Sequence, residues 1–116
     1  SPLVMAYVGD AVYELAVRSR IVMDRSRKIK DIHQEVVGLV NAEKQAQLLR
    51  KIESRLTEEE MAVVRRGRNA KTHSVPRHAD TADYRWSTGL EALFGYLYLK
   101  GDEERLREIL EMIDLT

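Results

Sequence analysis

The chain has 116 residues, 44% hydrophobic and 33% charged, which suits one domain around one core and is too apolar for a disordered chain. Cysteine is absent, so disulfides and thiolate metal sites are excluded, and any metal must use oxygen or imidazole ligands. The formal net charge of zero gives no overall hint of a nucleic-acid partner. The lack of cysteine fits a reducing compartment and no apolar run is long enough to span a membrane, so we expect a cytoplasmic protein without membrane association.

Apolar residues recur at helical spacing through most of the chain, and no window alternates as a strand would. The fold class we expect is therefore all-α, with a single helical domain over residues 1–116. Asn41 is a predicted N-cap, Thr57 with Glu60 a predicted capping box, and Gly67 a predicted helix end. The predicted helices cover about residues 2–22, 29–40, 42–52, 58–67 and 83–100, with a closing helix to about 113.

The first helix is apolar around most of its circumference. A helix of that kind is normally buried, but one small core offers too little surface to bury all of it. We therefore expect a second copy of the chain to cover part of this helix, which predicts a homodimer.

Two carboxylates stand inside apolar helical segments, Asp10 in Tyr-Val-Gly-Asp-Ala-Val and Glu91 in Gly-Leu-Glu-Ala-Leu-Phe-Gly. Each requires a cation, a hydrogen-bond network or water if it is buried. An ordinary ion pair is the simplest explanation, and Glu14 with Arg18 is expected to form one. Small residues beside Asp10 and Glu91 favour another interpretation, in which two helices cross closely and the carboxylates share a metal such as Mg²⁺. These small residues are Ala6, Gly9, Ala92 and Gly95.

Charge is segregated along the chain, because residues 61–79 contain no acid and several bases. Such a stretch is typical of a surface that binds a polyanion, although a solvated connector would have the same composition. The candidate RNA-binding residues are Arg65, Arg66, Arg68, Asn69, Lys71 and Arg77.

The segments around Asp10 and Glu91 resemble the two signature motifs of the ribonuclease III family, in the same order and at a compatible separation. The resemblance covers nearly the whole chain. It implies the endonuclease-domain fold of that family, a homodimer, and a catalytic, metal-binding role for Asp10 and Glu91. The expected cofactor is Mg²⁺, with Mn²⁺ as an alternative.

The family usually carries a double-stranded-RNA-binding domain after the nuclease domain, and the chain as given has none. It is therefore most similar to the Mini-III subgroup, which implies cleavage of duplex RNA in precursor 23S ribosomal RNA. Three positions that are acidic in typical members are Leu3, Ala6 and Thr88 here. Either water fills the vacant coordination positions with help from the Thr88 hydroxyl, or metal affinity is lower.

Two other functions remain open at this point. The missing acids are compatible with a catalytically silent helical domain that binds RNA on ribosomes. A DNA-binding helical regulator is less favoured, because no helix-turn-helix presents a clear basic recognition face. Metal-dependent cutting would separate the nuclease from both.

Overall fold

A computed structural model describes residues 1–24, 28–70 and 81–113 of the chain. This part contains six α-helices, one short 3₁₀ helix at Glu53–Arg55 and no strand, which confirms the all-α prediction. None of these helices is both long and apolar enough to cross a membrane. The helices are α1 (Pro2–Asp24), α2 (Ile29–Leu39), α3 (Ala42–Ile52), α4 (Glu58–Asn69), α5 (Thr81–Lys100) and α6 (Glu103–Met112).

Helix α5 is the central element, and α1, α3 and α4 pack directly against it. Its residues Leu90, Leu93 and Phe94 are fully buried, and the ring of Phe94 stacks on Tyr13 of α1 with 5.5 Å between centroids. Tyr13 also donates a buried hydrogen bond of 2.8 Å to the carbonyl oxygen of Leu39, which joins α1 to the end of α2. The core therefore fixes α1 against α5 along much of their length.

Local capping explains several helix boundaries. The side chain of Asn41 accepts a hydrogen bond from the Lys44 amide at the start of α3. Thr57 and Glu60 form the predicted capping box at the start of α4, with both reciprocal hydrogen bonds present. Gly101 lies between α5 and α6 and has a φ of +82°, in the left-handed region of backbone conformation that favours glycine.

The prediction that Gly67 ends α4 is wrong, because the helix continues to Asn69. Gly67 is instead a point of close contact between α4 and α5. A Cβ atom there would lie 2.9 Å from both the Ala92 Cβ and the Gly89 Cα. The helix passes so close to α5 that a glycine is required, and helical hydrogen bonding is unaffected.

A polar cluster joins the start of α4 to α6. The Arg105 guanidinium makes hydrogen bonds of 2.7 and 2.8 Å to the two carboxylate oxygens of buried Glu60. These bonds hold the pKa of Glu60 below its ordinary value. The sequence predicted Glu60 as part of a cap, but its ion pair with Arg105 arises from tertiary packing.

Candidate active site

Helices α1 and α5 approach each other closely where they cross, and two glycines make this approach possible. A Cβ atom on Gly9 would lie 1.6 Å from the carbonyl oxygen of Glu91. A Cβ atom on Gly95 would lie 1.8 Å from the carbonyl oxygen of Met5. The two backbones therefore touch, as the small residues in both motifs predict. Asp10 follows Gly9 in α1, so its side chain is placed beside that of Glu91.

The carboxyl groups of Asp10 and Glu91 meet at this crossing and share a hydrogen bond. Glu91 is half-buried, and burial raises the pKa of its carboxyl to about 9, with a further rise from the hydrogen bond and charge of Asp10. Glu91 therefore holds a proton at neutral pH in the metal-free protein.

Asp10 itself is exposed, although it stands inside an apolar segment of the sequence. It lies in a shallow surface groove together with Tyr7, Glu14 and Tyr98. Its apolar neighbours Val8, Ala11 and Val12 line the same groove and leave Asp10 exposed. One carboxyl of the pair thus faces the interior, and the other is accessible to solvent.

This donor set fits a divalent metal ion. Two carboxyl groups in contact repel each other when both are ionised. A proton on one of them relieves this repulsion, and a cation bound between them would relieve it in the same way. Mg²⁺ commonly takes one or two carboxylates and completes its shell with water and phosphate oxygens. Among the described residues, no group of three or more histidine, aspartate or glutamate side chains is placed to hold a metal. Asp10 and Glu91 would therefore supply two ligands, with water or substrate supplying the others.

The positions that lack the usual acids offer no replacement carboxylate. Ala6 is buried beside Val63 and Ala92 in a small apolar cluster, and Leu3 lies at the surface. Thr88 is buried, and its hydroxyl donates a 3.0 Å hydrogen bond to the carbonyl oxygen of Tyr84. Its oxygen remains able to accept a hydrogen bond from a water.

Glu14 forms the surface ion pair that the sequence predicts. Its carboxylate lies 2.6 Å from the guanidinium of Arg18, one turn further along α1. Glu14 borders the same groove as Asp10, but its charge is compensated locally.

The basic residues predicted to bind RNA lie at the C-terminal end of α4. Arg65, Arg66 and Asn69 are exposed there. Gly67, in the same turn, contacts α5 at Thr88, Gly89 and Ala92, the segment that also carries Glu91. The structure thus places the basic end of α4 against the part of α5 that contributes to the acidic pair. Lys71 and Arg77 lie outside the described residues.

Arg68 is held against an aromatic ring. Its guanidinium carbon lies 4.7 Å from the ring centroid of Trp86 on α5, and its Nε donates a 3.0 Å hydrogen bond to Asn69. Trp86 is half-buried and packs on the core. Arg68 therefore anchors the end of α4, whereas Arg65 and Arg66 are exposed among the described residues.

Comparison with known proteins agrees with this geometry. The family model of the ribonuclease III domain matches residues 3–102 of the chain.

The chain belongs to the ribonuclease III family.

Its relatives include proteins named Mini-ribonuclease 3. The one from Thermoanaerobacter is 47% identical over 112 residues, covering 97% of this chain and 79% of that protein. The one from Symbiobacterium thermophilum is 50% identical over 110 residues, covering 95% of this chain and 85% of that protein. The resemblance to the Mini-III subgroup is thereby confirmed, and the chain is an endoribonuclease of the ribonuclease III type.

A solved structure supports the fold assignment. The crystal structure of a protein from Fusobacterium nucleatum superimposes with a TM-score of 0.86 at 33% sequence identity, over 97% of this chain and 89% of that one. The endonuclease-domain fold expected from the two motifs is therefore confirmed.

Sequence reasoning missed Gln45, which is buried on α3 and faces Glu91. The sequence did contain a signal for this residue. Gln45 is a polar residue on the helix face that carries Ala42, Leu49 and Ile52, which are apolar. The same criterion, a polar group placed where burial penalises it, singles out Asp10 and Glu91 in the sequence.

In the absence of divalent metal, Glu91→Gln should stabilise the fold, and the gain should increase with pH. The carboxyl has a pKa of about 9 when folded and an ordinary value of 4.5 when unfolded, so the folded chain binds the extra proton between these values. The stability that this proton contributes is complete below pH 4.5 and is lost as pH rises through 9, at up to about 1.4 kcal/mol per pH unit. The variant's amide does not titrate.

Urea unfolding in EDTA at pH 5, 7 and 8.5 would measure this difference. Glu14→Gln is the matched control, since it removes a surface carboxylate of α1 that is paired with Arg18. Parallel pH profiles for wild type and Glu91→Gln would contradict a raised pKa at Glu91.

Proposed function

We propose that this chain is a Mg²⁺-dependent endoribonuclease that cleaves double-stranded RNA as a homodimer, with Mn²⁺ able to substitute. The observation that carries the proposal is the meeting of Asp10 and Glu91 beside the basic end of α4. Acidic residues that can hold a cation and basic residues that can bind phosphates together suit metal-dependent cutting of a nucleic-acid backbone. Membership in the ribonuclease III family supports duplex RNA as the substrate class.

Each element of the site has a role in this proposal. Asp10 and Glu91 would hold the cation through their carboxylates, and Glu91 would have to release its proton to do so. A bound divalent cation lowers the pKa of water and offsets charge on the scissile phosphate during in-line attack. Arg65 and Arg66 bind backbone phosphates and position the duplex by its A-form shape.

The natural substrate we propose is a duplex in precursor 23S ribosomal RNA. Support for this substrate comes from the similarity to the Mini-ribonuclease 3 proteins, which cover nearly the whole chain. Mapping the termini of that RNA in cells that lack the protein would test it.

The reaction is tested by incubating purified protein with a long RNA duplex, with and without Mg²⁺. The matched DNA duplex and each RNA strand alone serve as controls. Discrete shortened products from the RNA duplex, formed with metal and absent in EDTA, are expected.

Tight binding of the duplex without cutting under any metal condition would instead favour the second candidate, a catalytically silent RNA-binding domain on ribosomes. The observation behind that candidate is that Ala6 and Thr88 stand at positions where typical ribonuclease III enzymes have acidic residues.

Removing the two exposed arginines of α4 should weaken duplex binding. Arg65→Ala/Arg66→Ala should reduce the slope of log affinity against log salt by about 1 for each phosphate that the variant no longer binds. Filter binding in EDTA across a salt series measures this slope. Lys51→Ala/Arg107→Ala removes the same charge from exposed positions elsewhere and should leave the slope nearly unchanged. Equal effects of the two double variants would mean that the end of α4 is a solvated surface.

Support for the homodimer comes from an apolar face on α1 that the other described residues leave exposed. Its described residues are Leu3, Val4, Tyr7 and Leu15, with Tyr98 and Leu99 exposed near the end of α5. The face borders the groove that contains Asp10, because Tyr7, Leu15 and Tyr98 line that groove. A two-fold pairing through this surface would place two active sites at a fixed separation along one duplex.

Tyr7→Glu should therefore shift the protein from dimer to monomer and reduce duplex cleavage, without unfolding the chain. Tyr7 is 83% exposed, so the change leaves the core intact, whereas Met5 packs against the small cluster around Ala6 and is unsuited to this test. Sedimentation velocity at micromolar concentration gives the readout. Val37→Glu, at another exposed apolar position on α2, should remain dimeric. Wild-type protein that is monomeric yet cuts both strands at a fixed stagger would contradict the homodimer.

A further inference from the structure

Gln45 is a buried amide with an unused donor. Its side chain is 3% exposed, and its Nε2 has no hydrogen-bond partner within the described part of the chain. A buried donor without a partner destabilises a fold by about 1–3 kcal/mol. An apolar residue of the same size would avoid this penalty, so the amide requires an explanation other than packing.

The Gln45 amide lies on the interior side of Glu91. Helix α3 packs against α5, and the amide faces the Glu91 carboxyl and favours its ionised form. Asp10 reaches the same carboxyl from α1 and is exposed to solvent. Glu91 is thus placed between an accessible carboxylate, where a cation would bind, and a buried hydrogen-bond donor.

A carboxylate that binds a cation with one oxygen still has acceptor sites on the other oxygen. Groups that hydrogen-bond to a metal ligand fix its rotamer, and removing them typically lowers metal affinity or activity 10- to 100-fold. Gln45 Nε2 is a buried donor beside Glu91 that is placed to make such a bond.

We infer that Gln45 is a positioning residue, whose Nε2 donates a hydrogen bond to the inner oxygen of the Glu91 carboxylate and so orients the outer oxygen toward a divalent cation. This role rests on the proposed metal-dependent function. The inner oxygen gives the orphaned donor its partner, and the amide keeps Glu91 from turning away from Asp10. Gln45 itself contacts neither the cation nor the RNA.

Gln45→Met tests this role, because methionine has a similar length and no donor. Mn²⁺ binding to the RNA-free protein, followed by electron paramagnetic resonance, should weaken about 10- to 100-fold. Thermal unfolding in EDTA should occur at the same or a higher temperature, because the unpaired buried amide has been removed. Gln47→Met, at an exposed position on the same helix, should change neither measurement. In cleavage assays the half-saturating Mg²⁺ concentration should rise by a similar factor, with duplex affinity in EDTA unchanged.

A loss of stability that matches the loss of Mn²⁺ affinity would overturn the inference, as would unchanged Mn²⁺ affinity in a folded Gln45→Met protein. If that variant does not fold, Gln45→Asn retains an amide one methylene too short to reach and should show the same fall in Mn²⁺ affinity. Asp10→Asn separates the two proposals. If wild type and Asp10→Asn bind Mn²⁺ equally, the metal site itself is wrong. If Asp10→Asn weakens binding and Gln45→Met does not, the role of Gln45 alone is wrong.

Discussion

Gly9→Ala should destabilise the fold by more than about 3 kcal/mol. An extra methylene in a core usually costs about 1–3 kcal/mol, and the cost should be larger here because the methyl group would meet backbone atoms. The new Cβ would lie 1.6 Å from the carbonyl oxygen of Glu91 and 2.8 Å from the backbone nitrogen of Gly95. Neither atom belongs to a flexible side chain, so α1 and α5 would have to separate. Separation would open the core around Tyr13 and Phe94 and move Asp10 away from Glu91.

Urea unfolding measures the loss, and Gly38→Ala is the matched control. Gly38 lies in α2 with open space around its Cα, since nothing stands within 4 Å of the methyl group that alanine would add. Alanine there should be neutral or stabilise the protein by up to about 1 kcal/mol, through its better helix propensity. A loss of similar size at both glycines would show that the α1–α5 crossing is not the reason for Gly9.

Asp10→Asn should lower cleavage of duplex RNA about 1000-fold, which corresponds to roughly 4 kcal/mol of transition-state stabilisation. The amide keeps the shape of the side chain but loses the charge that we propose holds the cation. Asp10 is exposed, so the free energy of unfolding in EDTA should change by less than about 1 kcal/mol. Single-turnover cleavage at saturating Mg²⁺ gives the rate.

Glu14→Gln is the control for this variant. Glu14 borders the same groove one turn along α1, but its carboxylate is paired with Arg18 at the surface, where such pairs contribute little. Its cleavage rate should stay within about threefold of wild type, which is less than about 1 kcal/mol. Near-normal cleavage by Asp10→Asn at saturating metal would remove Asp10 from the catalytic site.

Much of the secondary structure was accessible from the sequence because its causes are local. Asn41 and the Thr57–Glu60 capping box lie within one turn of the helix starts that they define. Helical periodicity of apolar residues likewise depends on neighbours within a few positions. The two motifs and their order were sufficient to indicate the ribonuclease III family, which the domain match over residues 3–102 confirms.

The meeting of Asp10 and Glu91 was predicted from the sequence, but the burial of each carboxyl was not. Small residues on both helices indicated the close crossing, and the contacts of Gly9 and Gly95 bear this out. The degree of burial was not accessible, because Asp10 and Glu91 both stand among apolar neighbours in the sequence, yet one is exposed and the other half-buried. Burial depends on which side of each helix faces its partners, and that is set by the crossing geometry.

The sequence by itself determined the six helices, the family and the two carboxylates, because caps, periodicity and motif spacing are properties of short segments. Only the tertiary structure decided which groups meet. It brought Gln45 of α3 to Glu91 and Arg68 of α4 to Trp86, pairs that are distant along the chain. It also showed that Gly67 allows two helices to touch and does not end one. These contacts depend on how α1, α3 and α4 pack around α5, and no short segment of the chain contains that information.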